Sequence, residues 1–323
     1  MRAVFINRYG GTEVLEEGNQ PRPVPKSRQV LIEVYAASVN PRDWLLREGR
    51  YVFRHLMRGF PLILGSDVSG VVVDRGPDAT LFQPGDAVFG VQTPLGRMGG
   101  YAEYIAIDER ALARKPSTIS HEEAAAVPCA ALTALGALTR IGRTKAGSHV
   151  TIIGASGGVG TYATQLAKAL GATVAAVTSA RNGSLVQSLG ADRVIDYTAE
   201  RFDAVLRGQD LVFDTIGRES LEKCTGVLTH RGRYVTTIPN AATFAKALTS
   251  NLRRMLLLGH AQSAHTVLLR ADGEDLSRIA SLMSAGIVRS VIDSVYTLSQ
   301  VRQAHERSRT WRSRGKLVIQ VRT

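Results

Sequence analysis

Four glycines close together, at positions 154, 157, 158 and 160, form the most distinctive chemical pattern in the sequence. Apolar residues 150–153 precede them, and from Val159 apolar residues recur at intervals of three and four until Gly171. This pattern predicts a buried strand, a tight turn and an amphipathic helix. The free N–H groups of such a helix start bind phosphate. We therefore predict that the backbone of Ser156, Gly157, Gly158 and Val159 binds a dinucleotide pyrophosphate; the alternative is a purely structural turn.

The end of the next predicted strand, residues 172–177, selects between the two nicotinamide cofactors. An NAD-binding protein places Asp or Glu there, about 20 residues after the glycines, to bind the ribose. Here residues 178–182 read TSARN, with no carboxylate. The hydroxyls of Thr178 and Ser179 and the guanidinium of Arg181 are suited to a 2′-phosphate, because Arg can donate two hydrogen bonds and balance its charge. We predict NADP(H) as the cofactor; otherwise Arg181 is a solvated helix-start residue.

Strands and helices alternate around this stretch. Further strands are predicted at 193–196, 211–214 and 234–238, with helical patterns between them, which implies a parallel, doubly wound sheet. Before residue 120 the chain instead shows short strands separated by turn signals, as in bent sheets or a partial barrel. Ser120 and Glu123 form a capping box that predicts a helix start and a domain boundary close to this point.

The composition limits the remaining possibilities. A chain of 323 residues with 44% hydrophobic residues is long enough for two domains, and its two cysteines cannot form a disulfide framework. The N-terminus carries no secretory pattern and no apolar run is long enough to span a bilayer, so we predict a cytoplasmic protein. The net charge of +12 comes from scattered arginines without a nucleic-acid-binding module, which makes nucleic acid an unlikely partner.

Many sequence motifs, in order along nearly the whole chain, resemble those of one known family. They are SVNPRDWLLREGRY (38–51), PLILGSDVSGVV (61–72), PGDAVFG (84–90), GGYAEYI (99–105), AAAVPCAALTALGAL (124–138), GASGGVG (154–160), LGADRVIDY (189–197), LVFDTIG (211–217) and GKLVIQV (315–321). The chain resembles the medium-chain dehydrogenase/reductase superfamily, and within it the zinc-independent quinone oxidoreductase branch.

The resemblance implies an α/β protein in which a doubly wound parallel (Rossmann) sheet is inserted in a β-rich GroES-like catalytic domain. The expected limits are 1–122 and 262–323 for the catalytic domain and 123–261 for the dinucleotide-binding domain. The resemblance also implies a homodimer that acts on a small, electron-poor molecule.

The zinc ligands of metal-dependent relatives are not kept in this sequence. The first ligand position is Asn40, the histidine position is Ser66, and only Cys129 remains at a ligand-like place. One cysteine cannot form the three-ligand site of a catalytic zinc, so we predict no metal. Hydride transfer to an already electron-poor acceptor then becomes the easier reaction.

The resemblance suggests further roles for individual residues. Tyr51 is the candidate to hydrogen-bond the substrate carbonyl, or else a packing aromatic. Asn40 faces the nicotinamide, or else caps the turn at Pro41. For the cofactor, the resemblance implies three more residues, each with core packing as the alternative: Thr133 near the nicotinamide, Tyr197 near the adenine and Ile238 beside the carboxamide. Lys316 either approaches this site or is a charged residue of an edge strand.

Together these inferences predict an NADPH-dependent, zinc-independent oxidoreductase that reduces quinones or the activated C=C bond of α,β-unsaturated carbonyl compounds. One alternative is an enoyl reductase dedicated to a carrier-bound or specialised biosynthetic substrate. The other is a non-catalytic NADPH-binding or RNA-binding protein of the same fold, which the positive charge permits.

Overall fold

The computed structural model describes residues 1–52, 54–56, 59–92, 98–237, 248–252, 255–256 and 261–322. Two compact units make up the chain. The first combines Met1–Leu132 with Leu269–Thr323, and the second consists of Thr133–Leu268. Within the described ranges, no helix has the length and apolar character needed to cross a membrane.

The described residues form both β-strands and α-helices. The strands are β1 (Arg2–Ile6), β2 (Glu16–Asn19), β3 (Gln29–Val39), β4 (Leu62–Ile63), β5 (Asp67–Arg75), β6 (Ala87–Val91), β7 (Tyr104–Asp108), β8 (Leu112–Arg114), β9 (His149–Ile153), β10 (Thr173–Thr178), β11 (Arg193–Asp196), β12 (Gln209–Asp214), β13 (Leu228–Thr236), β14 (Ser263–Thr266), β15 (Ile292–Thr297) and β16 (Lys316–Gln320). The α-helices are α1 (Pro41–Arg47), α2 (His121–Ala125), α3 (Pro128–Gly136), α4 (Gly158–Ala169), α5 (Gly183–Ser188), α6 (Phe202–Val205), α7 (Leu221–Cys224), α8 (Gly273–Ser284) and α9 (Val301–Arg309).

The first unit is built on β3, the longest of the described strands. β3 pairs antiparallel with β5, β7 and β16, and the sheet has the order β15-β16-β3-β5-β6-β8 with β7 also paired to β3. A smaller sheet has the order β2-β1-β4. Ile32, Leu64 and Val68 are fully buried in the core of this unit. This arrangement brings the end of β3 and the starts of β5 and β16 to the same place.

The second unit contains a parallel sheet in the order β11-β10-β9-β12-β13-β14. β9 is the apolar strand that the sequence predicts before the glycines, and α4 follows it directly. Gly171 has a positive φ of 78°, as expected for a glycine after the end of a helix. The predicted fold class, a parallel Rossmann sheet in a chain with a β-rich GroES-like domain, is confirmed.

The limits of the units differ from the predicted domain limits, which fall after residues 122 and 261. The observed divisions lie after Leu132 and Leu268. The capping box is present, since Ser120 Oγ accepts from the Glu123 N–H at 3.2 Å and Glu123 accepts from the Ser120 N–H at 2.8 Å. However, the helix that it starts, α2, packs on β3 and β5, and therefore lies in the first unit.

Candidate functional site

The glycine turn between β9 and α4 has a conformation that only small residues allow. Gly154 has a φ of +77°, and an added Cβ at Gly160 would lie 2.2 Å from the carbonyl oxygen of Gly154. Gly157 is the N-cap of α4. A helix that starts behind glycines exposes its first N–H groups for an anion, so the turn fits the pyrophosphate-binding role predicted for it.

The hydroxyl of Ser156 is oriented by two neighbours. It accepts a hydrogen bond from Thr178 Oγ1 at 2.8 Å and another from Asn182 Nδ2 at 3.0 Å. A serine hydroxyl has two acceptor lone pairs and one proton. Because both lone pairs are used, the proton of Ser156 remains to be donated to a ligand of the turn. Thr178 therefore acts on the site through Ser156.

The residues predicted for the adenosine end lie at the end of β10 or after it. Arg181 is exposed in a 3₁₀ turn, Ala180–Asn182, and within the described residues no side chain pairs with it. Ser179 Oγ accepts a hydrogen bond from Asn182 Nδ2 at 3.3 Å. Tyr197 is 63% exposed, so it is not a core residue. Thr133 is buried, and Ile238 lies outside the described residues.

A second polar group, which we call the acceptor cluster, lies in the first unit and contains Asn40, Asp67 and Lys316. Lys316 Nζ donates to Asn40 Oδ1 at 2.6 Å and lies 3.6 Å from Asp67 Oδ2. Asn40 Nδ2 donates to the same Asp67 oxygen at 3.0 Å. Lys316 is 4% exposed and belongs to β16, which lies between β15 and β3. Its interpretation as a charged edge-strand residue is therefore wrong.

A chain of hydrogen bonds leads from this cluster into the core. Asp43 Oδ2 accepts from the Asn40 N–H at 2.8 Å and from the Tyr101 hydroxyl at 3.0 Å. His305 Nε2 lies 3.3 Å from the Tyr101 oxygen, and His305 Nδ1 lies 3.1 Å from Arg47 Nη1. Because Arg can only donate, Nδ1 of His305 must accept, and Nε2 carries the proton. Every member of this chain is fully buried.

Burial shifts the pKa values of Asp43, His305 and Tyr101, in this chain of hydrogen bonds, so that the neutral form of each is favoured. Desolvation raises the pKa of Asp43 to about 6, against the positive charge of Arg42, which lowers it. Desolvation lowers the pKa of His305 to about 3, and the charge of Arg47 acts in the same direction. Burial and the neighbouring Asp43 hold the pKa of Tyr101 well above its ordinary range. A neutral His305 and a neutral Tyr101 therefore donate in sequence towards Asp43.

Arg42 and Ser66 place further polar groups beside the acceptor cluster. Arg42 Nη2 donates to the carbonyl oxygen of Gln92 at 3.2 Å, and the Gln92 N–H donates to the carbonyl oxygen of Ser66 at 2.9 Å. Cys129 N–H donates to Asp67 Oδ1 at 3.1 Å. These contacts gather the end of β6, the start of β5 and the start of α3 around Asp67.

Tyr51 follows α1 and is partly buried against the core of the first unit. Desolvation raises the pKa of its hydroxyl, while the charge of Arg42 lowers it. Cys129 and Asp43 also act on this hydroxyl through their charges, and the Tyr51 N–H donates to the carbonyl oxygen of Leu45 in α1 at 3.0 Å. Asn40 precedes α1 and Tyr51 follows it, so the two predicted catalytic residues flank the same helix.

The three positions that hold zinc in metal-dependent relatives do not fit a zinc ion. The oxygen of Asn40 is bonded to a buried ammonium group, Lys316, whose positive charge opposes a second cation at this place. Among the described residues, no group of three His, Cys, Asp or Glu side chains could hold a metal.

Sequence reasoning did not assign several residues that complete these sites. Asn182 is a polar residue directly after a predicted strand, and this position was a usable signal. Arg42 lies next to Asp43 in the SVNPRDW motif, but nothing in the sequence indicates that its side chain turns towards Gln92. His305 and Tyr101 are 204 residues apart, and no local pattern connects them.

Comparisons with known proteins agree over the whole chain. Residues 26–117 match the family model described as alcohol dehydrogenase GroES-like domain, and residues 189–319 match that of a zinc-binding dehydrogenase. A chloroplast envelope quinone oxidoreductase homolog of Arabidopsis thaliana is 34% identical, over 99% of this chain and 98% of its own. A 2-methylene-furan-3-one reductase of Solanum lycopersicum is 34% identical, over 99% of this chain and 79% of its own.

The quinone oxidoreductase from Coxiella burnetii has a similar solved structure. Its TM-score is 0.88 with 32% identity, covering 100% of this chain and 99% of that chain. Similarity of this extent, together with the parallel nucleotide sheet and the GroES-like unit, shows that the chain is an oxidoreductase of the medium-chain dehydrogenase/reductase superfamily, in its quinone oxidoreductase branch.

Proposed function

We propose that this oxidoreductase uses NADPH to reduce an electron-poor acceptor, either a quinone or the activated C=C bond of an α,β-unsaturated carbonyl compound. The observation that carries the proposal is the composition of the acceptor cluster. It presents fixed hydrogen-bond donors and a buried ammonium where metal-dependent relatives hold zinc. Such donors stabilise negative charge on an oxygen but do not lower the pKa of an alcohol as a metal does. The names of the quinone and furanone reductase relatives support the same acceptor class.

The cofactor would be held by the second unit. The turn residues Ser156, Gly157, Gly158 and Val159 would bind the pyrophosphate, and Ser179 and Arg181 the 2′-phosphate. NADPH supplies a hydride when it is bound. An exposed arginine and the absence of a carboxylate in residues 178–182 favour the phosphorylated cofactor. Thr133, Tyr197 and Ile238 are proposed to contact the nicotinamide, the adenine and the carboxamide, respectively.

At the acceptor, the proposal assigns two direct roles. Asn40 has one N–H bonded to Asp67 and its oxygen bonded to Lys316, so its second Nδ2 hydrogen remains to bind the carbonyl oxygen. A charged donor on the amide oxygen polarises the amide and strengthens this bond. The Tyr51 hydroxyl is proposed to bind the same carbonyl, since desolvation keeps it in its protonated form.

The reaction is tested by following NADPH oxidation optically with a metal chelator present. The acceptors are a benzoquinone, a naphthoquinone, an alkenal, a cyclic enone and an enoyl thioester. Turnover of a quinone or of a free enone is expected. Turnover of the thioester alone would favour a dedicated enoyl reductase, and tight NADPH binding without any turnover would refute the proposed reaction. Sedimentation at several protein concentrations tests the homodimer that we propose with it.

The cofactor assignment is tested with a matched pair of variants. Arg181→Ala removes a charged contact to the 2′-phosphate, worth about 2 kcal/mol, so NADPH affinity is expected to fall roughly 30-fold while NADH affinity is unchanged. Ser156→Ala is expected to weaken both cofactors by a similar factor of about five, because the pyrophosphate is common to both. Arg193→Ala, at the exposed start of β11, is the control. Equal losses of both cofactors in Arg181→Ala would contradict the assignment to NADPH.

A further inference from the structure

Buried polar atoms without a hydrogen-bond partner are concentrated beside the acceptor cluster. In the described part of the chain, eight buried side-chain nitrogen or oxygen atoms make no hydrogen bond. Four of the eight belong to three residues of this region: Nε and Nη1 of Arg42, Oδ1 of Asp43 and Oγ of Ser66. Unsatisfied groups of this kind cost free energy and are rare in folded proteins, so a concentration of them points to a ligand.

Arg42 is the most informative of the three. Its guanidinium is anchored through Nη2 to the carbonyl oxygen of Gln92, at 3.2 Å. Gln92 is fixed in turn by its N–H bond to Ser66, at the edge of the acceptor cluster. The Nε and Nη1 donors of Arg42 are buried and donate to no described group. A guanidinium is always charged, so two charged donors are held ready in a fixed position.

Arg42 acts on the Asp43 carboxylate through its charge but forms no ion pair with it. The other buried cation of the cluster, Lys316, has Asp67 as its counterion at 3.6 Å. Asp43 uses one carboxylate oxygen for the Asn40 N–H and the Tyr101 hydroxyl. Among the described residues, no carboxylate lies within ion-pair distance of Arg42. A partly buried guanidinium with two unbonded donors and no ion-pair partner favours the binding of an anion.

We propose that Arg42 binds an anionic oxygen, namely a carboxylate carried by the acceptor, and thereby selects acidic quinones or enones. The planar fork of a guanidinium matches the two oxygens of a carboxylate, and a charged hydrogen bond is about twice as strong as a neutral one. The inference rests on the proposed function and narrows its substrate class. A cofactor phosphate has the same chemistry and is the competing source of the anion, so the experiment separates the two.

The kinetic test compares cyclohexenone with its ring-carboxylated analogue in wild type, Arg42→Met and Arg42→Lys. The control is Arg50→Met, because Arg50 is exposed nearby and pairs only with Glu48 among the described side chains. We expect the ratio of kcat/KM for the acid over the neutral enone to fall at least about 10-fold in Arg42→Met. Arg42→Lys should restore part of the ratio, since it keeps the charge but loses the fork. An unchanged ratio in Arg42→Met overturns the proposal.

A binding test makes the result independent of turnover. Benzoate is titrated against the tryptophan fluorescence, which includes that of Trp44, buried in α1 two residues from Arg42. We expect the affinity for benzoate to fall at least 10-fold in Arg42→Met and to stay at the wild-type value in Arg50→Met. If Arg42→Met instead weakens NADPH and leaves benzoate binding unchanged, the anion is a cofactor phosphate and the proposal is wrong.

The two experiments also separate this inference from the proposed function. Benzoate binding that depends on Arg42, without reduction of any acceptor, refutes the proposed reaction and leaves the anion site standing. If both enones are reduced and the ratio of their kcat/KM values is the same in wild type and Arg42→Met, only the anion site is refuted. Circular dichroism of each variant establishes that it is folded before its result is used. If Arg42→Met does not fold, Arg42→Lys replaces it in both tests.

Discussion

The buried imidazole of His305 makes the stability of the first unit depend on pH in a calculable way. Its Nδ1 accepts from Arg47 at 3.1 Å, and its pKa falls from 6.5 to about 3. Between these values the folded protein binds fewer protons than the unfolded chain, so the free energy of unfolding decreases as the pH falls. From pH 7 to pH 4 the loss from His305 is about 3 kcal/mol.

Asp43, two hydrogen bonds away, acts in the opposite direction. Its pKa rises from 3.8 to about 6, so the folded protein binds more protons than the unfolded chain between these values. Its contribution to stability is present below pH 3.8 and is lost as the pH rises through 6. From pH 7 to pH 4 it adds about 2 kcal/mol to the free energy of unfolding. In the wild type the two contributions nearly cancel.

Single variants expose each contribution. His305→Gln can still accept from Arg47 and donate to Tyr101, but it does not titrate. The difference in the free energy of unfolding between this variant and wild type is expected to shift by about 3 kcal/mol in favour of the variant as the pH falls from 7 to 4. For Asp43→Asn, the same difference is expected to shift by about 2 kcal/mol in favour of wild type as the pH falls from 7 to 4. Differences between variant and wild type are used because the other titrating groups then cancel.

The assay is urea unfolding followed by tryptophan fluorescence at intervals from pH 7 to pH 4. Both tryptophans, Trp44 and Trp311, lie in the first unit with ring centroids 5.8 Å apart, so the signal reports the unit that contains His305. Exposed His149 in the second unit provides the control variant, His149→Gln. A His305→Gln difference that is independent of pH, with an unchanged m-value, would refute the claim that His305 is held neutral.

Two further substitutions test the local geometry of the two sites. Lys316→Met leaves Asp67 buried without its cation and should lower the free energy of unfolding by about 3 to 5 kcal/mol, whereas Lys316→Arg should recover part of this loss in the same urea assay. Gly160→Ala brings a Cβ within 2.2 Å of the Gly154 oxygen and should reduce NADPH affinity at least about 10-fold by titration, whereas Gly183→Ala, whose Cβ would meet only Val194 at 3.7 Å, should not.

The sequence predicts those parts of the fold whose signal is local. The strand β11 has the predicted limits, and α2 begins directly after Ser120, where the capping box predicts a helix start. β2 was missed because its sequence, EEGN, has no apolar alternation and pairs with β1 at the surface. β14 was missed for a related reason, since a strand of four residues at the end of a sheet carries little pattern of its own.

The two candidate sites differ in whether their residues lie close together in the sequence. The glycine turn between β9 and α4 is made by residues within one strand, one turn and one helix, so glycine spacing alone indicates it. The acceptor cluster joins Lys316 to Asn40 across 276 residues, and the chain of hydrogen bonds that leads from it joins His305 to Arg47 across 258. Neither pairing leaves a trace in the local sequence, because each depends on the antiparallel register of β3 with β16 or on the packing of α9 near α1.

The hydrogen bonds of the acceptor cluster indicate which residue can change the choice of acceptor without unfolding the first unit. Asn40, Asp67 and Lys316 satisfy one another's charges and hydrogen bonds, so replacing any one of them leaves a buried partner unpaired and destabilises the first unit. Arg42 lies beside them but contributes only one hydrogen bond, to a backbone oxygen. Its guanidinium can therefore be exchanged at a smaller cost in stability. We therefore expect acceptor selectivity to depend on Arg42, and we expect Asn40, Asp67 and Lys316 to form a fixed framework for whichever acceptor is bound.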